Sequence, residues 1–134
     1  MPVRFVVDTH AILWYLYDDS RLSVPAAQAL DDAIQDGDQI AIAAITLAEI
    51  VYLAEKGRIS SLAFDRVRTV IEQPGAMLVQ VPFDLAIAES MREIDRMQVP
   101  ELPDRVIAAT AHYLGVPVIS RDHKIRSSIV PTIW

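Results

Sequence analysis

Five short runs of consecutive apolar residues punctuate this chain, and between them apolar positions recur at helical spacing. The runs are VRFVV (3–7), QIAIAA (39–44), MLVQV (77–81), VPVIS (116–120) and PTIW (131–134). Continuous apolar runs of this length read as strands buried on both faces. The intervening periodicity predicts helices over Thr9–Tyr17, Pro25–Gln35, Thr46–Lys56, Ser60–Gln73, Phe83–Met97 and Pro103–Leu114. Ser23 is placed to cap the second of these helices, and Gly37, Gly57 and Gly115 fall where helix C-terminal caps are expected. Strands that alternate with helices are joined by right-handed crossovers into a parallel sheet. The expected fold is therefore α/β, a three-layer α/β/α sandwich around a mostly parallel sheet of four to five strands.

The length of 134 residues suits a single domain over 1–134, and 52% hydrophobic content excludes a disordered chain. There are no cysteines, so disulfides and thiolate metal sites are excluded. The longest apolar stretch, residues 40–54, is too short to span a bilayer and carries Glu49, and the N-terminal residues do not form a secretory signal. The expectation is a soluble cytoplasmic domain without membrane contact. A net charge of −6 argues against loose, salt-driven binding to nucleic acid. It leaves open an enzyme that grips a polyanion through bound metal, and it suits a basic protein partner.

In a parallel sheet all strands end on one edge, and ligands bind there, where the strand order reverses. Asp8 ends the first strand, Asp122 lies just past the fourth, Asp104 opens the helix leading into the fourth, and Glu49 opens the helix after the second. All four acids point to one rim if the first and fourth strands are neighbours. Taken singly, each has a plain structural explanation. Asp8 and Asp122 are placed to cap helices, Asp104 follows Pro103 in a helix first turn, and TLAE (46–49) matches a capping box from Thr46 to Glu49.

Taken together, the four acids conflict. Two carboxylates ~6 Å apart repel by about 3 kcal/mol at an effective dielectric near 20. A divalent cation removes that conflict. Hard oxygen donors without a histidine cluster or cysteine point to Mg²⁺ or Mn²⁺ rather than zinc.

The segments VVDTHAILW, TLAEI, PDRVIAATAHYLGVPVISRDHKI and VPTIW, in this order, resemble the PIN-domain nucleases, and among them the VapC toxins of toxin–antitoxin pairs. The resemblance covers nearly the whole chain. It implies a metal-dependent endoribonuclease whose acidic quartet is Asp8, Glu49, Asp104 and Asp122, with Asp8 and Asp104 as direct ligands of Mg²⁺ or Mn²⁺. It matches Ser120 to a small hydroxyl residue of the family. It also implies a VapB-like antitoxin as partner, a homodimer, and DNA contact only through the antitoxin. One departure is VPELPDR before the third acid, where relatives often carry a histidine and a phenylalanine.

Arg105, Arg121, Lys124 and Arg126 cluster around the last two acids, where they are candidate phosphate contacts or simply solvated charges. Trp14, Tyr15 and Tyr17 cannot all face a core, so part of this run, with Tyr52 and Leu53, is expected to line an exposed apolar surface. Two other catalytic classes on similar sheets fit poorly. A response-regulator receiver needs an acidic pair after the first strand and a lysine after the last, and a dehalogenase-like phosphatase needs Asp-x-Asp where this chain has DTH. A PIN nuclease of RNA processing, or a binding module that keeps the fold, remain as alternatives; the second is expected to lose acids, and none is lost here.

Overall fold

The computed structural model describes residues 2–134. The chain runs β1 (Val3–Val7), α1 (Thr9–Leu16), α2 (Val24–Gln35), β2 (Gln39–Ala43), α3 (Ala44–Glu55), α4 (Ala63–Glu72), β3 (Leu78–Val81), α5 (Leu85–Met91), α6 (Leu102–Leu114), β4 (Val118–Ile119), α7 (His123–Arg126) and β5 (Thr132–Ile133). The strands form one sheet in the order β3-β2-β1-β4-β5, and every pairing is parallel. Parallel pairing is the outcome the alternation of strand and helix predicts. The first and fourth strands are neighbours, with Val6 opposite Val118 and Val7 opposite Ile119.

Strand pleating assigns alternate residues to opposite faces, and the two cores follow that rule. Phe5, Val7, Ile40, Ile42 and Ile119 pack with α1 to α4 on one face. Val6, Ala41, Ala43 and Val118 pack with α5 to α7 on the other. The alanines of β2 meet the buried Ala108, Ala109 and Ala111 of α6. Small side chains on both sides bring α6 close against β1 and β2, which fixes the helix whose first turn carries Asp104. No helix among the described residues is long and apolar enough to cross a membrane.

Two expected boundaries are corrected. The helix expected over Phe83–Met97 ends at Met91. Past it, the Asp95 carboxylate accepts from the backbone N–H of Met97, and the Asp95 carbonyl accepts from Gln98 and Val99. This local turn competes with further helix while still burying Ile94 and Val99. The capping box at residues 46–49 does not form. β2 runs directly into α3 at Ala44, so Thr46 is a buried residue inside the helix and Glu49 lies in its second turn.

Candidate active site

The reversal of strand order between β1 and β4 opens the rim where the acids gather. The backbone N–H of Asp8 donates to the Ile119 carbonyl at 3.1 Å, so the end of β1 is tied to the end of β4. Asp8 then turns into α1 and caps it, with Oδ1 accepting from the N–H of Ala11 at 2.9 Å. Asp122 caps the short α7, accepting from the N–H of Lys124 at 2.8 Å. In both residues a cap engages one carboxylate oxygen and leaves the other available. Capping and site-building are thus done by the same side chain.

Asp8, Glu49, Asp104 and Asp122 line one cleft of about 370 Å³, and Glu101 joins them there. Glu101 was not foreseen as part of the site. It is the residue from which α6 begins, three positions before Asp104, and that position at the rim was the only signal for it. Thr9 was also missed. Its hydroxyl is buried, donates to Glu49 Oε1 at 2.5 Å, and lies 3.2 Å from the buried hydroxyl of Thr46.

Charge is concentrated in this cleft, where five carboxylates face Arg121, His10 and His123. Among the described residues, no ion pair reaches any of the four acids named from the sequence. Burial raises the pKa of Asp8, while hydrogen bonds from Ser120 and the Ala11 backbone oppose that rise. Burial likewise raises Glu49, opposed first by the Thr9 hydroxyl. Asp104 is pushed up to about 7, first by burial and then by the negative charges of Asp122, Glu101, Glu49 and Asp8.

Such a set of oxygen donors suits a hard divalent cation. Among the described residues, no three acidic or imidazole side chains are grouped so that they could together hold an ion. Mg²⁺ is commonly held by one or two carboxylates and by its own waters, and that arrangement fits these residues.

Ser120 is fully buried, and its Oγ accepts from the backbone N–H of Asp122 at 3.0 Å. It holds the β4–α7 turn and sits beside Asp8. Arg121 lines the cleft. Arg105 does not: its Nη2 donates to the carbonyls of Met91 at 2.7 Å and Ile94 at 3.1 Å. The grouping of Arg105 with the phosphate contacts is therefore corrected, because it lies outside the cleft with its Nη2 bound to carbonyls at and just past the end of α5. Lys124 sits 3.5 Å from Glu101, and Arg126 is exposed on α7 outside the cleft.

A second groove of about 470 Å³ adjoins the acidic cleft, with Leu13, Trp14, Tyr17 and Leu53 among its apolar walls. His10 and Trp14 line both cavities. Of the aromatic run, Trp14 is buried, Tyr15 donates its hydroxyl to Asp31, and Tyr17 is exposed at the groove; Tyr52, on α3, is exposed outside its lining.

Comparison with known proteins agrees with this architecture. Residues 5–127 match the model of the PIN domain family. Ribonuclease VapC22 of Mycobacterium tuberculosis is 30% identical over 132 residues, covering 96% of this chain and 97% of the relative. A VapBC2 complex from Rickettsia felis, solved bound to a DNA fragment from its promoter, superposes with a TM-score of 0.70 at 15% identity over 97% of both chains. A toxin–antitoxin complex from Klebsiella pneumoniae superposes with a TM-score of 0.65 at 23% identity, over 97% of this chain and 96% of the other. At those identities the superpositions speak for the fold, whereas the family match spans most of the sequence. With its acids gathered at the reversal of a five-stranded parallel sheet, the chain belongs to the PIN-domain family.

Proposed function

We propose that this protein is a Mg²⁺- or Mn²⁺-dependent endoribonuclease, the toxin of a type II toxin–antitoxin pair. The observation that carries the reading is the convergence of Asp8, Glu49, Asp104 and Asp122 on one cleft, none of them held in an ion pair among the described residues. Asp8 and Asp104 would hold the metal, with Glu49 and Asp122 completing the site through water. The ion, when bound, supplies Lewis-acid polarisation of a phosphoryl oxygen and offsets charge on the leaving oxygen.

The protein's own part is positioning and proton handling. Thr9 fixes one oxygen of Glu49 and leaves the other to orient water for attack on phosphorus. As the new P–O bond forms, the water proton passes to the Glu49 carboxylate, the bond to one ribose oxygen breaks, and that leaving oxygen takes up a proton from solvent. Asp122 is held rigidly by its cap and by Ser120.

The apolar groove beside the cleft would accept a segment of a VapB-like antitoxin, and the acidic cleft favours a basic residue on that segment. The exposed Tyr17, just past α1, and the exposed Val51 and Tyr52 of α3 support a homodimer. The net charge of −6 is in keeping with DNA contact made through the antitoxin alone.

The test is cleavage of a mixed structured-RNA pool by folded, antitoxin-free protein in Mg²⁺ or Mn²⁺. Cleavage is expected, and it should be lost with EDTA and in Asp8→Asn and Asp104→Asn. No cleavage in either metal would overturn the nuclease reading. Co-purification of a small basic partner from the native operon, with loss of cleavage in the complex, is the matching expectation for the antitoxin.

A further inference from the structure

Arg121 stands at an unusual place for a cation. The cleft it lines contains five carboxylates, yet among the described residues it enters no ion pair and no side-chain hydrogen bond. Its guanidinium instead lies over the indole of Trp14, with Cζ 4.7 Å from the ring centroid. That indole is only 7% exposed and is itself held by Trp134, whose ring centroid lies 5.9 Å away. The backbone is equally fixed, since Ser120 before Arg121 is fully buried and Asp122 after it caps α7.

Stacking uses the face of a guanidinium and leaves its N–H edges free. Those edges match a phosphate bidentately. The need for such a contact follows from the charge of the site. A metal ion would answer the charge of the scissile phosphate, but the phosphates on either side would still meet the field of the acids. Of the other nearby cations, Arg21 also lies over Trp14, 5.1 Å from its centroid, but is paired with Asp19. Lys124 is beside Glu101, and Arg105 is bound to backbone carbonyls.

We infer that Arg121, held on Trp14, grips an RNA phosphate next to the scissile one. Trp14 acts through it as a positioning residue. The inference rests on the nuclease reading and assigns the substrate contact that the acids cannot make.

The experiment is binding of a short single-stranded RNA of mixed sequence, with Ca²⁺ in place of Mg²⁺ to prevent turnover, read by fluorescence anisotropy across salt concentrations. Each phosphate contact on a single strand contributes about 0.7 to the slope of log K against log salt. Arg121→Gln should lower that slope by about 0.7 and weaken binding roughly tenfold. Arg121→Lys should keep the slope, because the charge remains, and bind less tightly than wild type because a lysine lacks the planar fork. Arg126→Gln, on the exposed side of α7, should leave the slope unchanged. In a Trp134→Phe background, RNA should perturb Trp14 emission, and Arg121→Gln should abolish that response.

In cleavage assays the expected signature of Arg121→Gln is a raised KM with kcat little changed. An Arg121→Gln slope equal to wild type, or an equal fall in Arg126→Gln, would overturn the assignment while the nuclease reading stood. Absence of both RNA binding and cleavage by the wild-type protein would overturn both.

Discussion

Thr9 Oγ1 and Glu49 Oε1 are 2.5 Å apart, a buried hydroxyl on the first turn of α1 clasping a carboxylate on the second turn of α3. The two residues are 40 positions apart in sequence, and the adjacency of β1 and β2 is what joins them. A hydroxyl has one proton to give, so Glu49 is held by one defined oxygen while burial works against its charge.

Thr9→Val removes that proton at nearly constant volume. Glu49 loses its clasp, and the expected outcome is a fall in kcat of about tenfold, equivalent to about 1.4 kcal/mol, with KM little changed. Thr9→Ser should restore most of the rate. Steady-state cleavage kinetics of the two variants check this, and equal kcat for wild type and Thr9→Val would show that the clasp has no role in turnover.

Asp104 makes the metal-free protein sensitive to pH in a defined direction. Its pKa in the fold is about 7, above the ordinary carboxylate value near 4. Between those values the folded state binds more protons than the unfolded state, so stability falls as pH rises. Below the lower value the contribution is fully present, and above the higher one it is lost. In EDTA, the wild-type Tm should therefore drop between about pH 5 and 8 by more than that of Asp104→Asn. Added Mg²⁺ should raise Tm at pH 8 in wild type and much less in the variant. Thermal unfolding at the two pH values, with and without metal, checks both; identical pH dependence in wild type and variant would remove Asp104 as the source.

Arg105 supports the site from behind. Its guanidinium ties the first turn of α6 to the carbonyls of Met91 and Ile94, the stretch where α5 gives way to the turn leading to Glu101. Arg105→Met keeps the stem but strands those acceptors, and hydrogen bonds to charged groups contribute about 1.5–3 kcal/mol. The expected result is a loss of about 2 kcal/mol in urea unfolding with no change in the salt dependence of RNA binding. A change in that salt dependence without destabilisation would return Arg105 to the substrate contacts.

The strands, the parallel sheet and the placing of each acid at a strand or helix end were readable because they rest on local signals. Buried strands are continuous apolar runs, and the position of an acid at a strand end follows from the run itself. The gathering of the acids at one rim stood on the condition that β1 and β4 are neighbours, which the structure meets. What was not readable depended on long-range contact. Arg105 and Arg121 look alike in sequence, each beside an aspartate at the rim. One is claimed by carbonyls 11 to 14 residues earlier, at the end of α5 and in the turn past it, the other by an indole from α1. The TLAE segment satisfied a capping rule, but β2 passing directly into α3 moved the true helix start to Ala44. The rule then named the right glutamate for a contact it does not make. Glu49 is bound by Thr9, and no spacing within residues 46–49 could reveal that.

Gly115 isolates one such local signal. It ends α6 with φ at 70°, in the left-handed region, and its N–H closes the last turn on the carbonyls of Ala111 and His112. A Cβ at this position would meet nothing within 4 Å, so Gly115→Ala adds backbone strain without a steric clash. The left-handed conformation costs an alanine about 1–2 kcal/mol, slightly offset by the lower entropy of its unfolded chain. Equilibrium unfolding in urea should show a loss of about 1 kcal/mol with an unchanged slope. Gly115 leads from α6 into β4, the strand that sets Ser120 and Asp122 in place, but the strain is confined to the cap. RNA cleavage per folded molecule should therefore remain at the wild-type level, and a large loss of rate would mean that β4 shifts with the cap.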